Sequence, residues 1–221
     1  MKHIVRYLAG LIAAFAIAGT AQAQDKIHAY ALAVSETSSL GGVIHYTIGA
    51  DGTLDGRFTY HAGGGRIDSE VATPRKRSRN ATGVYDTRGT VNGVAYTGTL
   101  TVTRLGAGAG GTDILEFVWN NGDRGIGVRH PLGLIVAYGG DEAGLLSELE
   151  PGRWTLAVMG WNGETGRLIG YEWRATQPAG SYAGKPMFGG DAGGIVIEQV
   201  GDAYRLKLPG GAVGVAIDAV R

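Results

Sequence analysis

The chain has no cysteine and only 6 prolines among its 221 residues. Without thiols there is no disulfide framework, and the usual ligands of a structural zinc site are missing. Packing alone must hold the fold together, and a chain of this length can bury one or two cores of ordinary size. Net charge is absent too, since 20 basic residues balance 20 acidic ones. Such a chain has no global field to draw in nucleic acid or anionic lipid, so no nucleic-acid partner is expected.

Long apolar runs are also lacking. The longest, LAGLIAAFAIAG (8–19), is 12 residues, short of the roughly 20 that cross a bilayer as a helix. It follows Lys2 and Arg6 and precedes Ala21-Gln22-Ala23, the layout of a cleavable signal peptide over residues 1–23. Export to the periplasm or the extracellular space is the expectation, with no transmembrane insertion of the remainder. An aromatic content of 8% gives little material for the aromatic girdles of an outer-membrane barrel.

Catalytic and cofactor motifs are sparse. GAGAGG (106–111) is followed by DILEFVW, which reads as a strand rather than the helix a dinucleotide site needs. SYAGKP (181–186) is too short for a phosphate loop, and Pro186 interrupts its run of amides. His28, His45, His61 and His130 form no HxH or HExxH cluster, and no GxSxG elbow occurs. No catalytic residue, metal ligand or cofactor is assigned, and the protein is expected not to be an enzyme.

What the chain does have is glycine, 40 residues of it, set among sustained alternation. In TGTLTVTR, Leu100 and Val102 share one face while Thr99, Thr101 and Thr103 share the other. AYRLKL, AVGVAIDAV and RLIGYEW behave alike, and period two marks strands with one buried face. Turn signals such as ADG, NNG, WNG and PGG separate them, and about 14–16 strands fit. The one helical stripe, DEAGLLSELEPG (141–152), predicts a turn or two of helix. The fold class is therefore all-β.

The strand order contains a repeat. Residues 98–130 resemble 193–219, and the stretch from residue 134 resembles that from residue 30. DGTLDGRFTYHAGGG (51–65) is echoed by NGETGRLIGYEW (162–173), and Asp51-Gly52 reads as a tight hairpin turn rather than a calcium loop. Two antiparallel up-and-down barrel-like units follow: a continuous one over 82–174, and a second built from 26–73 plus 179–221, closed by both termini. A basic linker, 74–81, joins them. A single larger barrel or sandwich is the alternative.

Two groups of residues are candidates for binding. Trp119, Tyr171 and Trp173 fall near strand ends, where an aromatic plugs a barrel mouth or stacks a ligand. Arg75, Lys76, Arg77 and Arg79, in PRKRSR, form the one strong charge cluster, suited to an acidic polymer.

GVYDTRGTVNGVAYTGTLTVT (83–103), FVWNNGDRGIGV (117–128), GLIVAYGG (133–140) and DGTLDGRFTYHAGGGRIDSE (51–70) resemble secreted bacterial β-repeat proteins labelled fibronectin-binding protein. The strand–turn pattern is also similar to avidin-like and lipocalin-like barrels. The first resemblance implies adhesion to a host matrix protein or envelope glycan. The second implies a small apolar ligand held in a barrel mouth. An envelope hydrolase working through acidic residues is a third reading. The sequence leaves the ligand and the oligomeric state open.

Overall fold

A computed structural model of the chain describes residues 29–35, 41–77, 80–107, 112–139, 142–150, 153–162, 167–175, 180–183, 185–186, 194–207 and 213–219. The expected signal peptide lies outside these residues. The described chain is all-β, with no α-helix and a single 3-10 turn at His61–Gly63.

Eight strands close into an antiparallel barrel. They are β2 (Gly42–Ile48), β3 (Leu54–Tyr60), β4 (Asp68–Pro74), β5 (Gly83–Val91), β6 (Val94–Ala107), β7 (Asp113–Trp119), β8 (Arg124–His130) and β9 (Gly133–Tyr138). Each pairs with the next in sequence, and β9 returns to β2 through Gly42↔Tyr138 to Tyr46↔Leu134. Strand alternation sorts the side chains. Ile44, Tyr46, Leu54, Ala72, Tyr85, Leu100, Val102, Leu115, Phe117, Leu134 and Val136 make one buried core inside the barrel. Two inward positions carry glycine so that rings lie flat against the wall. A Cβ on Gly56 would come within 2.5 Å of the Tyr46 ring, and one on Gly127 within 2.4 Å of Phe117.

The remaining strands form one nine-stranded sheet. They are β1 (Ala29–Ser35), β10 (Glu142–Glu150), β11 (Arg153–Asn162), β12 (Arg167–Ala175), β13 (Gly180–Ala183), β14 (Lys185–Pro186), β15 (Gly194–Val200), β16 (Ala203–Lys207) and β17 (Val213–Asp218). The order is β13-β15-β16-β17-β1-β10-β11-β12-β14. The first strand of the chain thus sits at the centre, between the last strand and the first one after the barrel. β13 and β14 occupy opposite edges yet are separated by residue 184 alone. The two edge strands are therefore neighbours along the chain.

Four expectations change. The continuous unit spans 42–138 rather than 82–174, and the two-ended unit is β1 plus 142–218 rather than 26–73 plus 179–221. Residues 74–81 are not a linker between units but the β4–β5 connection of one barrel. Within the stripe, Glu142–Glu150 is strand β10, because Ala143, Leu145 and Ser147 pair in register with Ala33, Ala31 and Ala29 of β1 and with Met159, Ala157 and Thr155 of β11. Two ladders of backbone bonds outweigh a weak helical preference.

The units pack through a second core. Ala29, Ala31, Ala33, Ala143, Val215 and Ile217 of the sheet meet Val43, Ile114, Val128, Ile135 and Ala137 on the outer face of the barrel. The alanines let β1 lie close over the barrel wall.

Candidate functional site

The barrel interior is filled at one end and hollow at the other. The hollow end carries the β3–β4, β5–β6 and β7–β8 connections, and its cavity measures about 860 Å³. The inward rows explain it. On β5 Tyr85 gives way to Thr87 and Gly89 towards this end, and on β6 Leu100 gives way to Gly98. Phe58, Tyr60, Tyr96, Trp119 and Tyr138 wall the space, with Val91 and Val94 at its rim.

Glu70 of β4 stands in this cavity and is only 2% exposed. Three side chains from three other strands donate to it. The Tyr46 hydroxyl binds Oε1, the Tyr96 hydroxyl binds Oε2 at 2.7 Å, and Trp119 Nε1 lies 3.3 Å from both oxygens. Burial, and then the Glu70 charge, push the Tyr46 and Tyr96 hydroxyls well above the usual tyrosine range. Both therefore remain neutral donors at any physiological pH. The aromatic wall is itself ordered. Tyr46 stacks on Phe117 and Phe117 on Trp119, each at 6.0 Å between centroids, and Trp119 meets Tyr138 edge-on at 5.7 Å.

The rim is pinned by polar contacts. Tyr138 donates to Asp123 Oδ2 at 2.7 Å, and Asn121 donates to the same carboxylate. Tyr60 donates to Asn92 Oδ1 at 2.8 Å, and the Asn92 amide donates to buried Asp68 at 3.1 Å, which anchors the β5–β6 turn. Two polar atoms bordering the cavity have no hydrogen-bond partner: Thr87 Oγ1 and His61 Nδ1. Among the described residues no three His, Asp or Glu side chains gather as a metal site.

Of the candidates from sequence, Trp119 lies in this cavity. The backbones of Tyr171 and Trp173 belong to β12 of the other sheet, and their side chains lie outside the described residues. The basic run sits at the opposite end of the barrel. Arg75 is exposed and paired with Asp86 at 2.7 Å, Arg77 donates to the Ala50 carbonyl at 3.0 Å, and Lys76 is exposed. Arg79 falls outside the described residues. The cavity and the basic run are therefore separate features. His45 and His61 are apart: His61 borders the cavity, while His45 contacts the Leu132 carbonyl at 2.9 Å at the filled end.

Family models, curated proteins and solved structures give no match to this chain.

Sequence reasoning missed Glu70, Tyr46 and Tyr96. A signal was present in RIDSEVATP, where Asp68, Glu70 and Ala72 share the inward row of β4. A carboxylate on the buried face of a barrel strand demands partners, and here those partners are tyrosine and tryptophan.

Proposed function

We propose that the protein is an exported, non-enzymatic binding protein that holds a small, largely apolar ligand in the mouth of its closed barrel. The cavity carries this reading. Its volume of about 860 Å³ falls in the range of pockets that take a drug-sized molecule, with aromatic walls and a few fixed polar groups. Glu70 is held by three donors, which suits a fixed acceptor better than a proton-transfer group. The unpartnered Thr87 hydroxyl fits a site whose hydrogen bonds are completed by a guest. Export rests on the form of residues 1–23. Adhesion to a matrix protein or glycan rests on the family resemblance, and two cations of the basic run are already engaged on the barrel.

The test is a neutral solvatochromic dye, Nile red, titrated into the mature protein with Trp119 emission followed in parallel. Saturable binding is expected, and Thr87→Phe, which fills the hollow, should abolish it without lowering the melting temperature. Dye binding that survives Thr87→Phe unchanged would place the ligand elsewhere and end this reading.

A further inference from the structure

The charges around the cavity are one-sided. Glu70 and Asp123 line it and Asp68 is buried beside it, while no lysine or arginine is among its described lining residues. As a carboxylate, Glu70 is acceptor-only, with room for about four hydrogen bonds. Tyr46, Tyr96 and the shared Trp119 N–H supply neutral dipoles, which solvate the charge but do not cancel it. A charge buried without a cation is costly, and binding a cation next to it recovers much of that cost. The surrounding groups favour the same guest. Phe58, Tyr60, Tyr96, Trp119 and Tyr138 present rings to the space, and aromatic rings attract a cation within roughly 6 Å by about 0.5–2 kcal/mol. Thr87, 4% exposed and with its hydroxyl unpartnered, offers an acceptor to an ammonium N–H.

We infer that the ligand is a small organic cation: an amine or quaternary ammonium on an apolar body, its charged head against Glu70 inside the aromatic wall. This rests on the cavity reading above and narrows it. Competing ligand classes, a neutral apolar molecule or a carboxylate, lack the positive charge that Glu70 leaves unanswered. An anion would be repelled by Glu70 and Asp123.

Phenylbutylammonium, phenylbutanol and phenylbutyrate share one tail and differ in the charge of the head. Each is titrated calorimetrically into the mature protein at about pH 8, where histidine is neutral, and each is also competed against Nile red. The ammonium should bind about tenfold or more tighter than the alcohol, and the butyrate more weakly than both. Glu70→Gln should erase the preference for the ammonium over the alcohol. If the alcohol or the butyrate displaces the dye as well as the ammonium does, the charge assignment is overturned and the cavity reading stands. If Nile red itself does not bind, both fall. Should Glu70→Gln not fold, the wild-type series decides the matter alone.

Discussion

A half-buried histidine, His130, shows how one residue ties this fold to pH. His130 neighbours His45 near the β8–β9 turn, and its Nδ1 accepts the Leu132 amide at 3.2 Å. Burial, reinforced by His45, pulls its pKa down to about 4. The unfolded chain binds that proton near pH 6.5, so the unfolded state gains protons first as the solution acidifies. The stabilisation is complete above about pH 6.5 and is lost progressively down to about pH 4, amounting to about 3 kcal/mol at most. His130→Asn keeps an acceptor for the Leu132 amide and removes the titration. Urea midpoints measured across this window should fall more steeply for the wild type than for the variant, and parallel profiles would show that His130 is not the group responsible. None of this was legible in the sequence. A histidine on a strand looks alike whether it is exposed or half-buried beside a second histidine, and only the tertiary arrangement decides. Trp119 was legible as an aromatic at a strand end, but its role as a donor to Glu70 depends on four strands meeting across a closed ring.

Among the elements, the β3–β4 connection explains the glycines of HAGGG. Gly64 and Gly65 have φ values of +64° and +81°. The turn they make docks on the β15–β16 turn, where the Asp202 amide donates to the Gly65 carbonyl at 3.0 Å. A Cβ on Gly65 would lie 1.6 Å from the Val200 carbonyl oxygen, whereas one on Gly64 would meet nothing within 4 Å. Gly64→Ala should therefore cost only the left-handed backbone penalty, about 1 kcal/mol. Gly65→Ala adds a backbone clash at the contact between the units and should cost about 2–4 kcal/mol. Equal losses in chemical denaturation would show that this contact contributes little. In the same stretch the sequence marks Asp51-Gly52 as a tight hairpin turn, and Gly52 has the positive φ, +91°, that such a turn needs. The docking role of Gly65 was invisible because it involves a turn about 135 residues further along the chain. Strand positions fared better, since period two survives any tertiary arrangement. Unit boundaries fared worse. Where similar hairpins follow one another, likeness shows which are equivalent, but ring closure is decided by β2 meeting β9, and no local pattern encodes that pairing.

At the scale of the whole molecule, the described residues start in the two-ended sheet with β1, make the barrel, and return to finish the sheet around β1. This order makes the two units unequal. The barrel has all of its strands in one continuous stretch, a ring of hydrogen bonds without edges, and an interior core of its own. The sheet depends on β1, which bridges β10 and β17 and belongs to the far side of the barrel in sequence. Residues 41–139 expressed alone should therefore fold and keep the ligand cavity, whereas 140–221 alone should not, because its central strand is missing. Freed of its partner, the barrel exposes Val43, Ile114, Val128 and Ile135 on one outer face, a patch that invites association. Replacing Val43 and Ile135 with threonine keeps strand preference while making that face polar. The expected outcome is a fragment that aggregates or dimerises as the native sequence, and is monomeric with the cooperative melt of a folded barrel as the double variant. Size-exclusion chromatography and circular dichroism read both properties. A fragment unfolded under conditions where the full chain is folded would mean that the barrel closes only when the sheet covers it, and the cavity would then belong to the assembled molecule rather than to the barrel.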